Sequence, residues 1–441
     1  MDNTLYVSDL DGTLLNKEER VSPFTARVIN RLVEQGVRFT YATARSRHSA
    51  EIVTQGLNKR LPVIVYNGAF TRQGDGQVLV EQCLSPAQCG KAREIFERWG
   101  LSPLVYTMLG GTERVLWRRD RETAGVARYI SNRQGDPRLL AASDDSMLYD
   151  GKIFYFTCIG EREALAPAWE EFQRAEGVRA LLQEEIYRPG EYWLEVMAQG
   201  ATKAHAAQLL RERLGCSRMV AFGDGLNDLP LFEAAQVKCA VANAVPELKE
   251  FASQIIPSNQ EDGVAKWLLA HTAPALALGE RAGEFHLRLY QPGDLEGMIQ
   301  LFYETVHSVN LRDYTEEEAA AWVASPESVD RNAWSASFSS HYTLIAEKDG
   351  VLLGFGDMDD TGYLDRLYVH KDFQGRGVAS AIVQGLEGYA WGLGASSVSV
   401  HASRTARPFF ENLGYKVQKA QRVLRRGVEL ENFAMERKLS L

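Results

Sequence analysis

The run Leu5-Tyr6-Val7-Ser8-Asp9-Leu10-Asp11-Gly12-Thr13 decides how the first half of this 441-residue chain is read. Three apolar residues make a short strand that runs into a carboxylate, and a second carboxylate follows two residues later beside a glycine. Such a pair at the carboxyl end of a buried strand suits phosphoryl transfer. One carboxylate attacks phosphorus; the other protonates the departing oxygen and then activates water. Phosphate is anionic, so positive charge has to converge on the same place. Gly223-Asp224-Gly225-Leu226-Asn227-Asp228 answers the first run from far along the chain, and Lys203 and Thr43 add a cation and a hydroxyl. Mg2+ held by Asp9, Asp224 and a backbone carbonyl would supply the remaining charge, with the amides of Leu10 to Gly12 as donors. Gly12, Gly223 and Gly225 let the backbone approach closely.

Around this run the first 80 or so residues alternate strand and helix. Ser22-Pro23 reads as an N-cap with proline at the first helical position, and Val28, Ile29, Leu32 and Val33 recur at helical spacing until Gly36. Val37 to Ala42 and Pro62 to Tyr66 are the next strands, the pattern of a parallel sheet flanked by helices. Regularity fades over 82–188 and resumes with Tyr192 to Val196, a helix from Thr202 to Leu214, and strands at Met219 to Phe222 and Cys239 to Val241. The expected division is a core of 1–81 and 189–271, an insertion of 82–188, an Ala-, Gly- and Pro-rich linker of 272–284, and a second α/β unit of 285–441.

Asp9-Leu10-Asp11-Gly12-Thr13, Ala42-Thr43-Ala44-Arg45, Tyr66-Asn67-Gly68-Ala69, Lys203 and Gly223 to Asp228 resemble, in order, the motifs of haloacid-dehalogenase-like phosphatases of the Cof type. Ala242-Asn243-Ala244 and Glu261-Asp262-Gly263-Val264-Ala265 continue the resemblance to about residue 270. It implies a Rossmann-like core, an inserted α/β cap of the C2 type, Mg2+ and an aspartyl-phosphate intermediate. Asp9 would be nucleophile and metal ligand, Asp11 general acid/base and carbonyl ligand, Asp224 and Asp228 further ligands. Leu10, Gly12, Thr43, Ala44, Lys203 and Asn227 would bind the phosphate. About 160 residues separate Thr43 from Lys203, where this family places the cap that closes over a small phosphorylated metabolite.

A second phosphate-binding signal lies in the last third. Leu364 to Val369 reads as a strand, and Gln374-Gly375-Arg376-Gly377-Val378-Ala379 leads into a helix, so that a glycine turn exposes amides at a helix N-terminus. With Ala402 to Tyr415 it resembles the two signature regions of GCN5-related N-acetyltransferases (GNAT) over about 285–441. The resemblance implies a twisted mixed sheet whose splayed central strands admit acetyl-CoA, contacted by Leu367, Tyr368, Val369, Gln374, Gly375, Arg376, Gly377, Val378 and Ala379. A small amine would be the acceptor, with His307, Tyr314, Asp365 and His401 as candidates for its pocket. Phe410 stands where relatives often carry an acid-donating tyrosine, which motivates a second reading: a GNAT-type unit that senses acetyl-CoA and regulates the phosphatase.

Composition narrows the partners. Net charge is −9, and residues 285–441 contribute −5 of it from 16 basic and 21 acidic residues, so neither part has the basic excess of a nucleic-acid binder. No run approaches the roughly 18 apolar residues of a membrane span. The start enters a strand at once, without a basic and apolar leader, and a cytoplasmic location is expected. Five scattered cysteines suggest free thiols. A homo-oligomer interface is a third role open to the cap and the C-terminal unit.

Overall fold

The fold is that of a computed structural model describing residues 3–58, 61–74, 76–185, 188–278 and 284–439. Its described residues form three sheets. At the centre of the first lies Thr4–Ser8, fully buried, with Arg218–Gly223 and Arg38–Ala42 parallel on either side. Val237–Val241 and Gln254–Ile256 extend one flank in parallel; Val63–Val65 extends the other, and Phe70–Arg72 and Val78–Glu81 finish it antiparallel. Strands buried on both faces are apolar throughout, hence the unalternating runs at Leu5 to Val7 and Met219 to Phe222. Helix Pro23–Glu34 starts as its cap dictates, with the Ser22 hydroxyl accepting the Thr25 N–H at 3.0 Å.

The second sheet runs Val178–Glu184, Tyr192–Ala198, Lys152–Gly160, Leu104–Leu109, Thr112–Arg118, Leu139–Ala142. Here the expected boundary needs correction. The strand expected at Tyr192 to Val196 forms, but Leu194 pairs with Leu182 and Cys158, inside the inserted layer. An apolar run says that a strand is buried, not which sheet buries it. The insertion therefore extends to Ala198 and not to 188.

The third sheet runs His286–Leu289, Tyr342–Lys348, Val351–Met358, Tyr363–Val369, Ser397–Ser403, Val428–Lys438, Lys416–Arg425. Its one parallel pair, Tyr363–Val369 with Ser397–Ser403, is in register only at Tyr363↔Ser399 and Leu364↔Val400, after which the strands part.

The expected linker is corrected too. Helix Gly263–Leu278 runs into it, and 279–283 lie outside the described residues. Alanine and leucine, the best helix formers, dominate 273–278, which explains why a stretch without an amphipathic face is helical. This helix and Pro23–Glu34 pack directly on helix Val378–Leu393 of the C-terminal unit. Glycines permit the approach: a Cβ on Gly392 would lie 2.6 Å from the Phe24 ring, and one on Gly388 2.8 Å from Leu269. Tyr342 stacks on Tyr389 at 4.4 Å and donates its hydroxyl proton to the Lys266 carbonyl at 2.8 Å, and Arg27 donates to the Gly392 carbonyl at 2.7 Å. The first and third sheets share one continuous apolar core, while the inserted sheet has its own.

Candidate functional site

The central strand of the first sheet ends by handing its chain to Asp9, whose N–H donates to the Phe222 carbonyl at 3.0 Å and so fixes two strand ends together. Leu10–Leu14 then makes one wide helical turn, closed by the Leu15 N–H on the Leu10 carbonyl at 2.9 Å. Gly12 has φ +75, and a Cβ there would sit 2.2 Å from Asp224 Oδ2, so only glycine lets the two loops meet. The Thr13 hydroxyl donates to Asp224 Oδ1 at 2.9 Å, and the Asn243 amide donates to the Gly12 carbonyl at 2.7 Å.

Lys203 enters from the first turn of helix Lys203–Arg213, buried, and donates to Asp9 Oδ1 at 2.5 Å and Asp228 Oδ1 at 2.9 Å. Asp228 Oδ2 accepts the N–H groups of Asp224 (3.1 Å) and Gly225 (3.3 Å). Carboxylate oxygens of Asp9, Asp224 and Asp228 lie within 4.8 Å of one another. Both oxygens of Asp228 therefore accept hydrogen bonds, so that it braces Lys203 and the Asp224 loop from within the same carboxylate group. Asp9 and Asp224 each keep one oxygen free among the described residues.

Burial is the main force holding the Asp9 carboxyl well above the usual range; Lys203 pulls it down, and Asp228 and Asp224 push it further up. Asp224 is pushed to about 6, by burial first and Asp228 second. Lys203 is held above the ordinary ammonium range because Asp228 and Asp9 outweigh the burial that opposes its charge. Three clustered carboxylates against one lysine leave the cluster short of positive charge, and an oxygen-liganded divalent cation fits that deficit.

Asp11 points outward to Arg45, which grips it through Nε at 3.0 Å and Nη2 at 2.6 Å and reaches Glu19 at 2.8 Å. Thr43 is buried, and its hydroxyl accepts the Arg45 N–H at 3.1 Å. Leu10 is buried, whereas Ala44 and Asn227 are exposed beside the loops. The loop after Thr43 is tied to the inserted layer by a strained turn. Tyr66 and Asn67 both have positive φ, 52 and 53, and their N–H groups donate to the carbonyls of Arg45 and Thr43. The Tyr66 hydroxyl donates to Glu113 at 2.5 Å, Arg138 holds both, and the Asn67 amide donates to the Tyr155 hydroxyl at 3.1 Å.

In the C-terminal unit the parting strands create two cavities. One of about 420 Å³ is lined by Leu367, Tyr368, Val369, Gln374, Gly375, Gly377, Val378 and Ala379. Gly375 and Gly377 have φ +71 and +83, and the N–H groups from Gly375 to Ala379 have no main-chain acceptor among the described residues. The Gln374 amide donates to the Val369 carbonyl at 2.6 Å, closing the turn on the strand that precedes it. Arg376, expected among the contacts, lies over the Phe373 ring at 5.0 Å and is absent from the lining.

The second cavity, about 600 Å³, adjoins the first, and Asp365, His401, Ser403 and Trp322 line both. Asp365 is paired with Arg366 at 2.9 Å, and its carboxyl is raised by burial against the pull of Arg366. Tyr314 lines the larger cavity; its hydroxyl accepts the Arg404 N–H at 2.8 Å and donates to the Glu431 carbonyl at 3.0 Å.

His307 is not part of this constellation. Its Nε2 bonds the Val323 carbonyl at 2.8 Å and its ring lies 4.5 Å from Tyr303, the satisfied histidine that a helix end allows. Phe410 is buried on the smaller cavity, and the Tyr415 hydroxyl is spent on Glu387 at 3.0 Å, away from both. Sequence reasoning did not single out Arg45, Thr13, Trp322 and Asn432. Arg45 and Thr13 stood inside quoted motifs, whereas Trp322 and Asn432 carry no motif.

Residues 6–268 match the family model of haloacid dehalogenase-like hydrolases, and residues 310–437 match that of the GNAT acetyltransferase domain. The 5-amino-6-(5-phospho-D-ribitylamino)uracil phosphatase YwtE of Bacillus subtilis is 28% identical over 283 residues, which span 59% of this chain and 95% of that protein. The uncharacterized N-acetyltransferase YafP of Escherichia coli K12 is 32% identical over 152 residues, 34% of this chain and 95% of its own. A solved haloacid dehalogenase-like hydrolase from Bacteroides thetaiotaomicron superimposes with a TM-score of 0.50 at 26% identity, covering 60% of this chain and 97% of its own. With its strand-end carboxylates, buried lysine and glycine-bearing loop, the chain belongs to the haloacid dehalogenase-like hydrolases and carries a GNAT acetyltransferase domain behind the hydrolase.

Proposed function

We propose that the chain hydrolyses a small phosphorylated metabolite with Mg2+ at Asp9 and transfers acetyl from acetyl-CoA to a small amine at Asp365. The observation that carries the first half is the free oxygen of Asp9 beside a buried lysine and Asp224. Asp9 attacks phosphorus, the ester P–O bond breaks, and the departing oxygen takes a proton from Asp11. Water then attacks the aspartyl-phosphate, giving its proton to Asp11 and freeing Asp9. For either proton transfer the Asp11 side chain has to turn from its grip by Arg45. Lys203, the Thr43 hydroxyl and the amides of Leu10 to Gly12 would hold the phosphoryl oxygens. Asp9, Asp224 and the main-chain carbonyl of Asp11 would hold Mg2+, with Asp228 bracing Lys203 and Asp224 behind them. The ion would supply positive charge to the phosphoryl oxygens.

In the second half, the amine nitrogen attacks the thioester carbonyl, Asp365, directly or through water, takes the amine's proton, and the C–S bond breaks to release CoA as its thiolate, which takes a proton from water. A carboxyl raised by burial is the better base for this. The position of Asp365 and His401 on the wall common to both cavities supports this assignment. The remaining residue roles assigned from motifs stand on the same footing, as does the division of the chain into core, cap and transferase.

The test is phosphate release with Mg2+ from a panel of phosphorylated metabolites, in which the compound named for the YwtE relative belongs first. Intact release by Asp9→Asn would remove the assigned nucleophile. A rise or fall in that release on adding acetyl-CoA, with no amine able to accelerate thiol release, would favour the sensing role that Phe410 motivates.

A further inference from the structure

The larger cavity of the C-terminal domain is polar in a graded way. At the wall it has in common with the smaller cavity lies a chain of alternating charges, of which Asp365 and Arg366 reach the lining and the buried Asp357 stands behind them. Asp357 takes Arg366 through both oxygens, at 2.9 and 2.8 Å, and His341 at 2.6 Å; Asp365 takes the same arginine at 2.9 Å. Two carboxylates thus share one guanidinium. Asn432 lines this cavity too, and its side-chain oxygen is buried behind that lining without a hydrogen-bond partner. A buried acceptor left unpaired is costly unless something brings it a donor. An ammonium or amine N–H is such a donor.

The opposite end of the cavity has the reverse chemistry. Strands Lys416–Arg425 and Val428–Lys438 form a two-stranded ribbon along it, and Arg425 and Arg426 at the turn belong to its lining. Both are exposed and form no ion pair among the described residues, whereas Arg422 on the same strand pairs with Glu429 at 3.2 Å. Gln421 faces Asn432 in the ribbon, and Arg425 lies four residues further on, about 13 Å away at the rise of a strand. Arginine side chains folding back along the ribbon shorten that span. Two guanidiniums without an ion pair on one cavity lining are suited to a carboxylate or a phosphate.

Resting on the acetyltransferase reading above, we infer that the acetyl acceptor is an amine with a separate anionic group. Its nitrogen sits at Asp365 and Asn432, and its anion, a phosphate ester or a carboxylate, sits at Arg425 and Arg426. The aromatic walls of Trp322, Trp334 and Tyr368 enclose the part between. An acceptor with a phosphate ester would meet the transferase before the hydrolase removes the group that holds it.

A matched series tests this on the full chain: 6-aminohexanol, 6-aminohexanoate and 6-aminohexyl phosphate, each with acetyl-CoA, followed by thiol release, with phosphate release monitored in parallel. The expected result is a KM at least ten-fold lower for one or both anionic acceptors than for the alcohol. The acceptor with the lower KM identifies the anion. In the double variant Arg425→Gln, Arg426→Gln the ten-fold preference should collapse to within two-fold, and the Arg425→Lys, Arg426→Lys pair should restore part of it. Equal KM values across the series, or a preference that survives the glutamine pair, overturns the inference alone. Thiol release from no acceptor, although calorimetry detects bound acetyl-CoA, overturns the acetyltransferase reading and this inference with it.

Discussion

The two sites of this chain are built on opposite principles. In the hydrolase, Asp9, Lys203, Asp224 and Asp228 are buried or nearly so, and each is held by at least one of the others or by a neighbouring loop. In the transferase, Asp365 and His401 face an open cavity and Asp365 has a single ion-pair partner. A phosphoryl group is small and constant, so its site can be closed and interlocked. The larger C-terminal cavity is assembled from distant strands and helices, a construction that leaves room for variation. The interlocked site should therefore fail abruptly when one member is changed, and the open one by degrees.

The largest effect belongs to Asp9→Asn. Replacing the proposed nucleophile should lower phosphate release by about 10⁴-fold or more while leaving acetyl-CoA thiol release as it was. Equal loss of both activities would mean that the two sites do not work separately. Gly12→Ala comes next. Its methyl group would drive into Asp224 Oδ2 from 2.2 Å at a positive φ, and about a 10²- to 10³-fold fall in kcat with a higher half-saturating Mg2+ concentration is expected. Unchanged kinetics would mean that the loops are far looser than their contacts imply. Asp365→Asn should cost acetyl transfer about 10²-fold in kcat and spare phosphate release. A loss below three-fold would move the base to water or His401.

Legibility in the sequence follows the same contrast. Much of the hydrolase site could be read because Asp9, Asp224 and Thr43 sit in short runs at strand ends, after Leu5 to Val7, Met219 to Phe222 and Arg38–Ala42, whereas Lys203 opens a helix. The glycine turn of the C-terminal unit was readable for a similar reason, since Gly375 and Gly377 stand where a strand gives way to a helix. The larger C-terminal cavity was legible in part: Tyr314, Asp365 and His401, expected to form a pocket, line it, whereas Trp322 and Asn432 were not singled out. Trp322, Asp365, His401 and Asn432 come from four separate elements, and no spacing joins them before the chain folds. His307 shows the converse error, a histidine near the right place in sequence whose ring is already satisfied by Val323. The strand Tyr192–Ala198 was found but assigned to the wrong sheet, because hydrophobicity records burial and not partners. The junction over 272–284 read as a linker because small residues suit both a loose connection and a tightly packed helix.

That junction yields the smallest effect and the sharpest question, whether the two sites belong to one cooperative body. His271 lies on helix Gly263–Leu278, within the layer that joins the two halves. Its ring stacks on Trp267 at 3.6 Å, Nδ1–H donates to the Trp267 carbonyl at 2.9 Å, and Nε2 is buried without a partner. Burial is the main cause that pushes its pKa down to about 3, opposed by the Trp267 hydrogen bond and reinforced by the nearby His286. A histidine depressed in the folded state stabilises nothing extra above its unfolded pKa of about 6.5, and below it the unfolded chain takes up the proton that the folded chain refuses. Stability is therefore lost as pH falls from about 6.5 towards 3, at up to about 1.4 kcal/mol per pH unit, or about 2 kcal/mol between pH 6.5 and 5. Urea unfolding of the wild type and His271→Gln at pH 7.5 and pH 5, followed by signals from both halves, measures that difference. If the seam joins the halves, both signals should report one transition whose midpoint drops less with acid in the variant. Two separate transitions, with only the hydrolase half responding to His271, would show that the shared core does not make the two sites one folding unit.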